Sequence, residues 1–273
     1  MMNANVSYSE FFGFRHHPFS DTWTIKTRFV SENEMMLEKK CASLLSCGKS
    51  FAVTGPSGSG KSTFVQNMVS GLDHHSYLPV HIHYGGLKRS GVIRAIAETM
   101  GIDSACRGVP LLVKLQKHII ETASQAKPLY TVFVIDDAQL MERESLMDLC
   151  SLMSSPQKKV SASLFLIGDE MLSRTLRLNV MTPIRSRMTF VFPMEPMNEK
   201  ESRAFIAFRL EASGAPANLF DRETVDLVCA HCRGNRRLIM NMCTMLLEEA
   251  FARNEKTIGP QLFFDLGIFD LTE

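Results

Sequence analysis

Apolar positions along the chain follow two alternating periods. Short runs rich in Val, Ile and Phe (residues 51–54, 80–83, 130–135, 163–167 and 189–192) are each followed by polar or glycine residues and read as strands. Between them, apolar residues recur at the spacing of one helical face. Phe64, Val65, Met68, Val69 and Leu72 form one stripe, Val92, Ile93, Ile96, Ala97 and Met100 a second, and Leu146, Leu149, Cys150 and Met153 a third. Strand–helix alternation of this kind predicts a parallel sheet covered on both faces. After Phe192 the strand pattern stops. Pro193 and Pro196 bracket a hinge, and Asn198 with Glu201 three residues on is the signature of a capping box. One helix is expected from near Asp221 to Gly234, and another carries the stripe Ile239, Met242, Cys243, Leu246, Leu247 and Ala250. The chain therefore reads as three parts. An aromatic segment, 1–27, with Phe11, Phe12, Phe14, Phe19 and Trp23, is expected to pack on the core. An α/β domain spans 28–192 and a helical domain 193–273.

Composition narrows the class without choosing a function. Of 273 residues, 45% are hydrophobic and 22% charged, enough to bury a core and too apolar for a disordered tail. Thirty Lys and Arg face 29 Asp and Glu, so the net charge is +1 and any nucleic-acid contact must come from a local patch. No apolar run reaches the ~18 residues of a membrane helix, and the charged first twenty residues do not read as a signal peptide. Seven cysteines, most inside apolar periodic segments, fit a reducing, cytoplasmic compartment with no membrane partner.

Candidate chemistry begins at the first strand. Gly55-Pro56-Ser57-Gly58-Ser59-Gly60-Lys61-Ser62 is a full G-x-x-x-x-G-K-S between a strand and a helical stripe, the context this phosphate-binding motif requires. Its glycines let backbone N–H groups wrap an anion, and the helix N-terminus, continuing into Thr63, adds a favourable dipole. Lys61 is expected to reach the β- and γ-phosphates of ATP, and the Ser62 hydroxyl to ligate Mg²⁺. Phe133-Val134-Ile135-Asp136-Asp137 supplies a buried strand with two acids at its carboxyl end, where ligands bind in open α/β sheets. Asp136 is assigned to the Mg²⁺ shell, and Asp137 to orienting and polarising the attacking water. Asp is one methylene shorter than the Glu usual at this second place, so slow turnover is expected.

A phosphate loop, an α/β core and a C-terminal helical lid together form the AAA+ layout. Ile184-Arg185-Ser186-Arg187-Met188 precedes the fifth strand, where such proteins place an arginine that reaches a neighbouring subunit's nucleotide; Arg187 is the preferred finger and Arg185 the fallback. Gly234-Asn235-Arg236-Arg237 opens the last long helix, where a second arginine reads the γ-phosphate. Phe12-Gly13-Phe14, Pro18-Phe19, the phosphate loop, Val134 through Leu140, Leu166-Ile167-Gly168, Pro196 through Glu201, Arg209-Leu210, Ala212-Ser213-Gly214, Leu219-Phe220 and Gly234 through Asn241 follow in order. In this ordered set the chain resembles the ExeA-like AAA+ ATPases, including stand-alone ATPases similar to the transposition regulators TnsC and TniB. It departs from that pattern at Asp136-Asp137-Ala138-Gln139, where the family commonly has Asp-Glu-Ala-His. It departs again at Gly168-Asp169-Glu170, where an acid beside a γ-phosphate would repel. In the lid motif Arg236 takes the proline place and Arg237 matches the arginine.

The resemblance implies a P-loop NTPase with a five-stranded parallel sheet and a helical lid. It also implies ATP bound with Mg²⁺, and self-association into a ring or filament. The favoured function is a DNA-binding regulator that recruits or activates a transposase, alone or with a target-selection protein, and disassembles on ATP hydrolysis. Tyr84-Gly85-Gly86-Leu87-Lys88-Arg89-Ser90 lies where the transposition relatives meet duplex DNA, with Lys88 and Arg89 as phosphate contacts. The alternative is an ATPase of a secretion or pilus-assembly system. It ranks second because such relatives carry a membrane helix and a further domain after the ATPase domain. Cys229-Ala230-His231-Cys232 looks like a metal fragment, but lies on a helix beside apolar Val225 and Val228 and is read as core.

Overall fold

The structure is a computed structural model, and it describes residues 7–21, 28–83, 86–105, 109–153 and 162–267. Trp23, Tyr84 and Gly85 lie outside the described residues. Five strands occur in chain order: β1 Ser50–Thr54, β2 Tyr77–His83, β3 Tyr130–Asp136, β4 Ala162–Gly168 and β5 Met188–Pro193. The α-helices are α1 Tyr8–Phe12, α2 Glu32–Ser46, α3 Lys61–Ser70, α4 Arg89–Thr99, α5 Leu111–Ala123, α6 Arg143–Leu152, α7 Glu170–Arg177, α8 Thr182–Arg185, α9 Glu199–Ser213, α10 Arg222–Cys232, α11 Arg236–Ala252 and α12 Pro260–Asp265. The chain forms two units: Glu32–Glu195, and the segment up to Ser31 together with residues 196–273.

The first unit is the expected sheet. All pairings are parallel and the strand order is β2-β3-β4-β1-β5. Side chains alternate across it. Phe51, Val53, Val132, Val134, Phe165 and Ile167 point to the face covered by Leu37, Cys41 and Leu45 of α2 and by Phe64, Val65 and Met68 of α3. Ala52, Phe133, Ile135, Leu164 and Leu166 point to the other face, covered by Val92 and Ile96 of α4, Leu115 and Ile119 of α5, Leu146 and Leu149 of α6 and Leu172 of α7. Burial on both faces is why β1, β3 and β4 read as continuous apolar runs. Strand β2 starts three residues earlier than the pattern predicts. Pro79 reads as a break, yet β2 is at the sheet edge, where a missing N–H is tolerated.

The topology fixes where a ligand can bind. After β1 the chain enters α3 on one face; after β4 it enters α7 on the opposite face. Adjacent strands whose helices depart to opposite sides open a crevice at their carboxyl ends. Register pairs Thr54 with Gly168 and Ile135 with Leu166, so the exits of β1 and β3 lie level on either side of β4, about 10 Å apart by strand spacing.

The second unit is helical. The aromatic N-terminal segment, expected on the core, contributes Phe12, Phe14 and Phe19 to the core that holds Phe205, Ile206, Val228, Ile239, Leu246 and Leu247. Ser7 and Glu10 form a capping box on α1, and Asn198 and Glu201 form the one expected on α9. The Arg209 guanidinium ties the segment down, donating from Nε to Pro18 O at 2.6 Å and from Nη2 to Ser20 O at 2.9 Å. Cys229, Cys232 and Cys243 are buried in this core; burial pushes the Cys229 thiol up to about 11 and Cys232 up to about 12, so they stay protonated and inert.

Candidate nucleotide site

The loop from Gly55 to Gly60 joins fully buried β1 to α3. Gly58 and Gly60 have φ of 80° and 100°, the left-handed region that side chains disfavour, so both turns of the loop depend on glycine. Gly60 stands at the N-cap of α3 without a side-chain cap, so the first-turn N–H groups of Lys61, Ser62 and Thr63 remain donors for an anion. Ser59 Oγ is buried and unpartnered among the described residues, a second polar group left for a ligand. Lys61 Nζ folds back over the loop and donates to Gly55 O at 2.8 Å and Pro56 O at 2.9 Å. A phosphate oxygen would be a stronger, charged acceptor for the same amine.

Across β4, Asp136 ends β3 with only 4% of its surface exposed. Its Oδ1 accepts the Asp137 backbone N–H at 3.0 Å, and its Oδ2 lies 3.7 Å from His83 Nδ1. Asp137 is half-buried and left-handed at φ 54°. Its carboxylate accepts from Gln139 Nε2 at 3.1 Å and faces His83 Nε2 at 3.7 Å. The exposed Ser62 hydroxyl and the buried Asp136 carboxylate are hard oxygen donors, a set that fits Mg²⁺. His83 is missing from the sequence reading, and Gln139 appears there only as a departure from the family pattern, without a role. His83 is brought in by β2–β3 register, which sets it opposite Asp136, and Gln139 by the 3₁₀ turn Ala138–Leu140. The linear motif places Gln139 beside Asp137 but does not show its hydrogen bonds, and it does not show His83 at all.

Asp169, an acid expected to repel a γ-phosphate, has a structural partner instead. It is the N-cap of α7 and accepts the Met171 N–H at 2.8 Å. Arg185 and Arg187 are exposed, and each donates to a backbone carbonyl of its own neighbourhood, Arg177 O at 3.0 Å and Pro183 O at 2.7 Å. In the helical unit Arg236 is buried, with its guanidinium 6.0 Å from the Phe29 ring centroid and 5.9 Å from that of Phe205, whereas Arg237 is exposed. Lys88 is exposed at the N-cap of α4. Arg89 is engaged within the chain: its Nε and Nη2 donate to the two oxygens of Asp148 at 2.6 and 2.7 Å. That bidentate pair occupies the fork expected to meet DNA phosphate.

Residues 47–176 match the family model of the AAA domain. General secretion pathway protein A of Aeromonas hydrophila is 25% identical over 256 residues, which is 92% of this chain but 46% of that protein, so the chain spans less than half of that relative. Among solved structures, Cdc6p from Pyrobaculum aerophilum superposes with a TM-score of 0.70 at 16% identity, covering 90% of this chain and 68% of that one. The ORC2 protein of Aeropyrum pernix, in ADPNP–ADP complexes, gives 0.67 at 15% identity, covering 90% and 69%. At these identities the likeness is one of fold. The fold is that of the AAA+ P-loop NTPases, and the AAA domain match falls on the phosphate loop and the Asp136-Asp137 strand end.

Proposed function

We propose that this chain is a Mg²⁺-dependent ATPase domain whose nucleotide state drives association of its own copies in a secretion or pilus-assembly system. The observation carrying the ATPase part is the uncapped, glycine-turned start of α3 set across β4 from the Asp136-Asp137 pair. In this reading the N–H groups of the loop and Lys61 Nζ hold the β- and γ-phosphates. Ser62 and Asp136 hold Mg²⁺, which supplies charge neutralisation on the phosphate oxygens when bound. Asp137 accepts a hydrogen bond from the attacking water and orients it in line. Arg187 of a neighbouring copy neutralises charge on the transferring group, and Arg237 reads the γ-phosphate. The secretion role rests on the similarity to general secretion pathway protein A along 92% of the chain. The transposition regulator favoured by sequence takes second place, because Arg89, one of its two DNA contacts, is paired with Asp148.

Calorimetry with ATP and Mg²⁺ tests the site. Lys61→Ala removes a charge-assisted contact worth about 1.5–3 kcal/mol, so affinity should fall by about tenfold or more. Equal affinity in both proteins would remove the proposed cradle. Fluorescence anisotropy of a labelled duplex tests the role. Binding that appears only with a non-hydrolysable ATP analogue and is lost in Lys88→Ala would return the transposition reading to first place.

A further inference from the structure

Gln139 makes two hydrogen bonds of opposite sense. Its Oε1 accepts the Asp169 backbone N–H at 3.2 Å, and its Nε2 donates to Asp137 Oδ1 at 3.1 Å. The orientation of the amide follows from its partners: a peptide N–H only donates, so it must face the oxygen, which leaves the NH₂ for the carboxylate. The room for this amide is made by Gly168. A Cβ there would sit 2.6 Å from Gln139 Oε1 and 2.8 Å from Leu172 Cδ2. The Asp169 carboxylate is turned away, onto the start of α7, so it does not compete for Gln139.

We propose that Gln139 is a positioning residue for hydrolysis: it clamps Oδ1 of the Asp137 carboxylate to the exit of β4 and leaves Oδ2, which lies 3.7 Å from the exposed His83 Nε2, to receive the water. This rests on the ATPase reading above. The physical argument has three parts. Asp137 follows β3 in a left-handed conformation, so its short side chain leaves the sheet at an angle set by a single residue. A carboxylate 40% exposed rotates freely unless something holds it. A neutral amide donor holds it without cancelling the charge that makes it an acceptor, which an arginine or lysine would do. The clamp also links the acid to β4, the strand between the loop-bearing β1 and the acid-bearing β3. Its position is therefore keyed to both.

The test separates the donor from the bulk of the side chain. Gln139→Glu keeps the length and the acceptor for Asp169 N–H but puts a carboxylate where the donor was. Gln139→Met keeps the length and removes both hydrogen bonds. Both should lower kcat for ATP by about ten- to a hundredfold, the scale of misplacing a reacting group. KM and calorimetric ATP affinity should stay within about threefold, and the melting temperature of Gln139→Glu should stay near wild type. Wild-type kcat retained in Gln139→Glu would overturn the inference alone, as would a loss of kcat that follows a loss of fold in Gln139→Glu while folded Gln139→Met turns over normally. A wild-type protein that binds ATP without turnover would instead overturn the ATPase reading, and the inference with it.

Discussion

In the sequence, Asp169 is an acid beside a phosphate site; in the fold it is a helix cap, and its charge faces the positive end of α7. Asp169→Ala should therefore cost about 0.5–2 kcal/mol of stability, read by urea unfolding, whereas Asp169→Asn should cost far less because the amide oxygen still caps. Asp137→Asn should bind ATP with near wild-type affinity by calorimetry yet turn over much more slowly, since the amide is a poorer acceptor for water. Undiminished turnover would mean that another group orients the nucleophile. The glycines of the loop, Lys61 and Asp136 were legible because their chemistry is local: a motif between a strand and a helix, and acids at a strand end. The contacts of His83 and Gln139 were not, although Gln139 stands out in the sequence as a departure from the family pattern. One needs the register that sets His83 against Asp136, and the other needs a turn that folds back toward Gly168. Arg89 was legible as a cation and illegible as a partner, because Asp148 lies fifty-nine residues away on another helix.

Strand β4 is buried along its whole length, with the Phe165 ring centroid 4.6 Å from that of Phe51. Phe165→Ala should cost about 3–5 kcal/mol, enough to remove much of a typical domain's stability and visible as a large fall in melting temperature. All five strands were predictable from apolar runs, and the boundaries shifted where Pro79 interrupts an edge. Helix α2 was not predicted, although Leu37, Cys41 and Leu45 repeat every four residues, because exposed Met35 and Met36 blur the stripe. In the helical unit, His17 Nδ1 accepts the Phe19 N–H at 3.2 Å, and its ring stacks on Tyr8. Burial holds the His17 imidazole below its ordinary value of 6.5, with Arg209 acting in the same sense and Glu248 against it. A depressed histidine contributes stability that is complete above 6.5 and is lost as pH falls toward the folded value, because the unfolded chain binds the proton more readily. Melting temperature should thus drop as pH falls below 6.5, and less so in His17→Gln. An equal drop in both proteins would assign the dependence to other groups, such as His81, which burial also depresses.

At the scale of the molecule, the proposed arginine supplied in trans would make activity a property of pairs of copies. Mixing Arg187→Ala with Lys61→Ala protein should restore part of the ATPase activity, since one supplies the nucleotide site and the other the arginine. No recovery at any ratio, with both variants folded, would count against a shared site. The two units differ in how the chain builds them. The α/β unit is one continuous stretch, Glu32–Glu195, while the helical unit needs both the segment ending at Ser31 and residues from Pro196 onward. On a ribosome this imposes a waiting time. Phe12, Phe14 and Phe19 emerge before the α/β unit, but the helical residues that bury them are synthesised after more than 160 others, which takes roughly 8–33 s at about 5–20 residues per second. During that interval the sheet can fold behind an aromatic segment whose helical partners are still missing. The helical unit must then close a long loop, at an entropic cost that rises only with the logarithm of its length. The nascent chain should accordingly be a chaperone client through Phe12, Phe14 and Phe19, and replacing those phenylalanines with serine should shorten chaperone residence on stalled chains while weakening the finished helical unit.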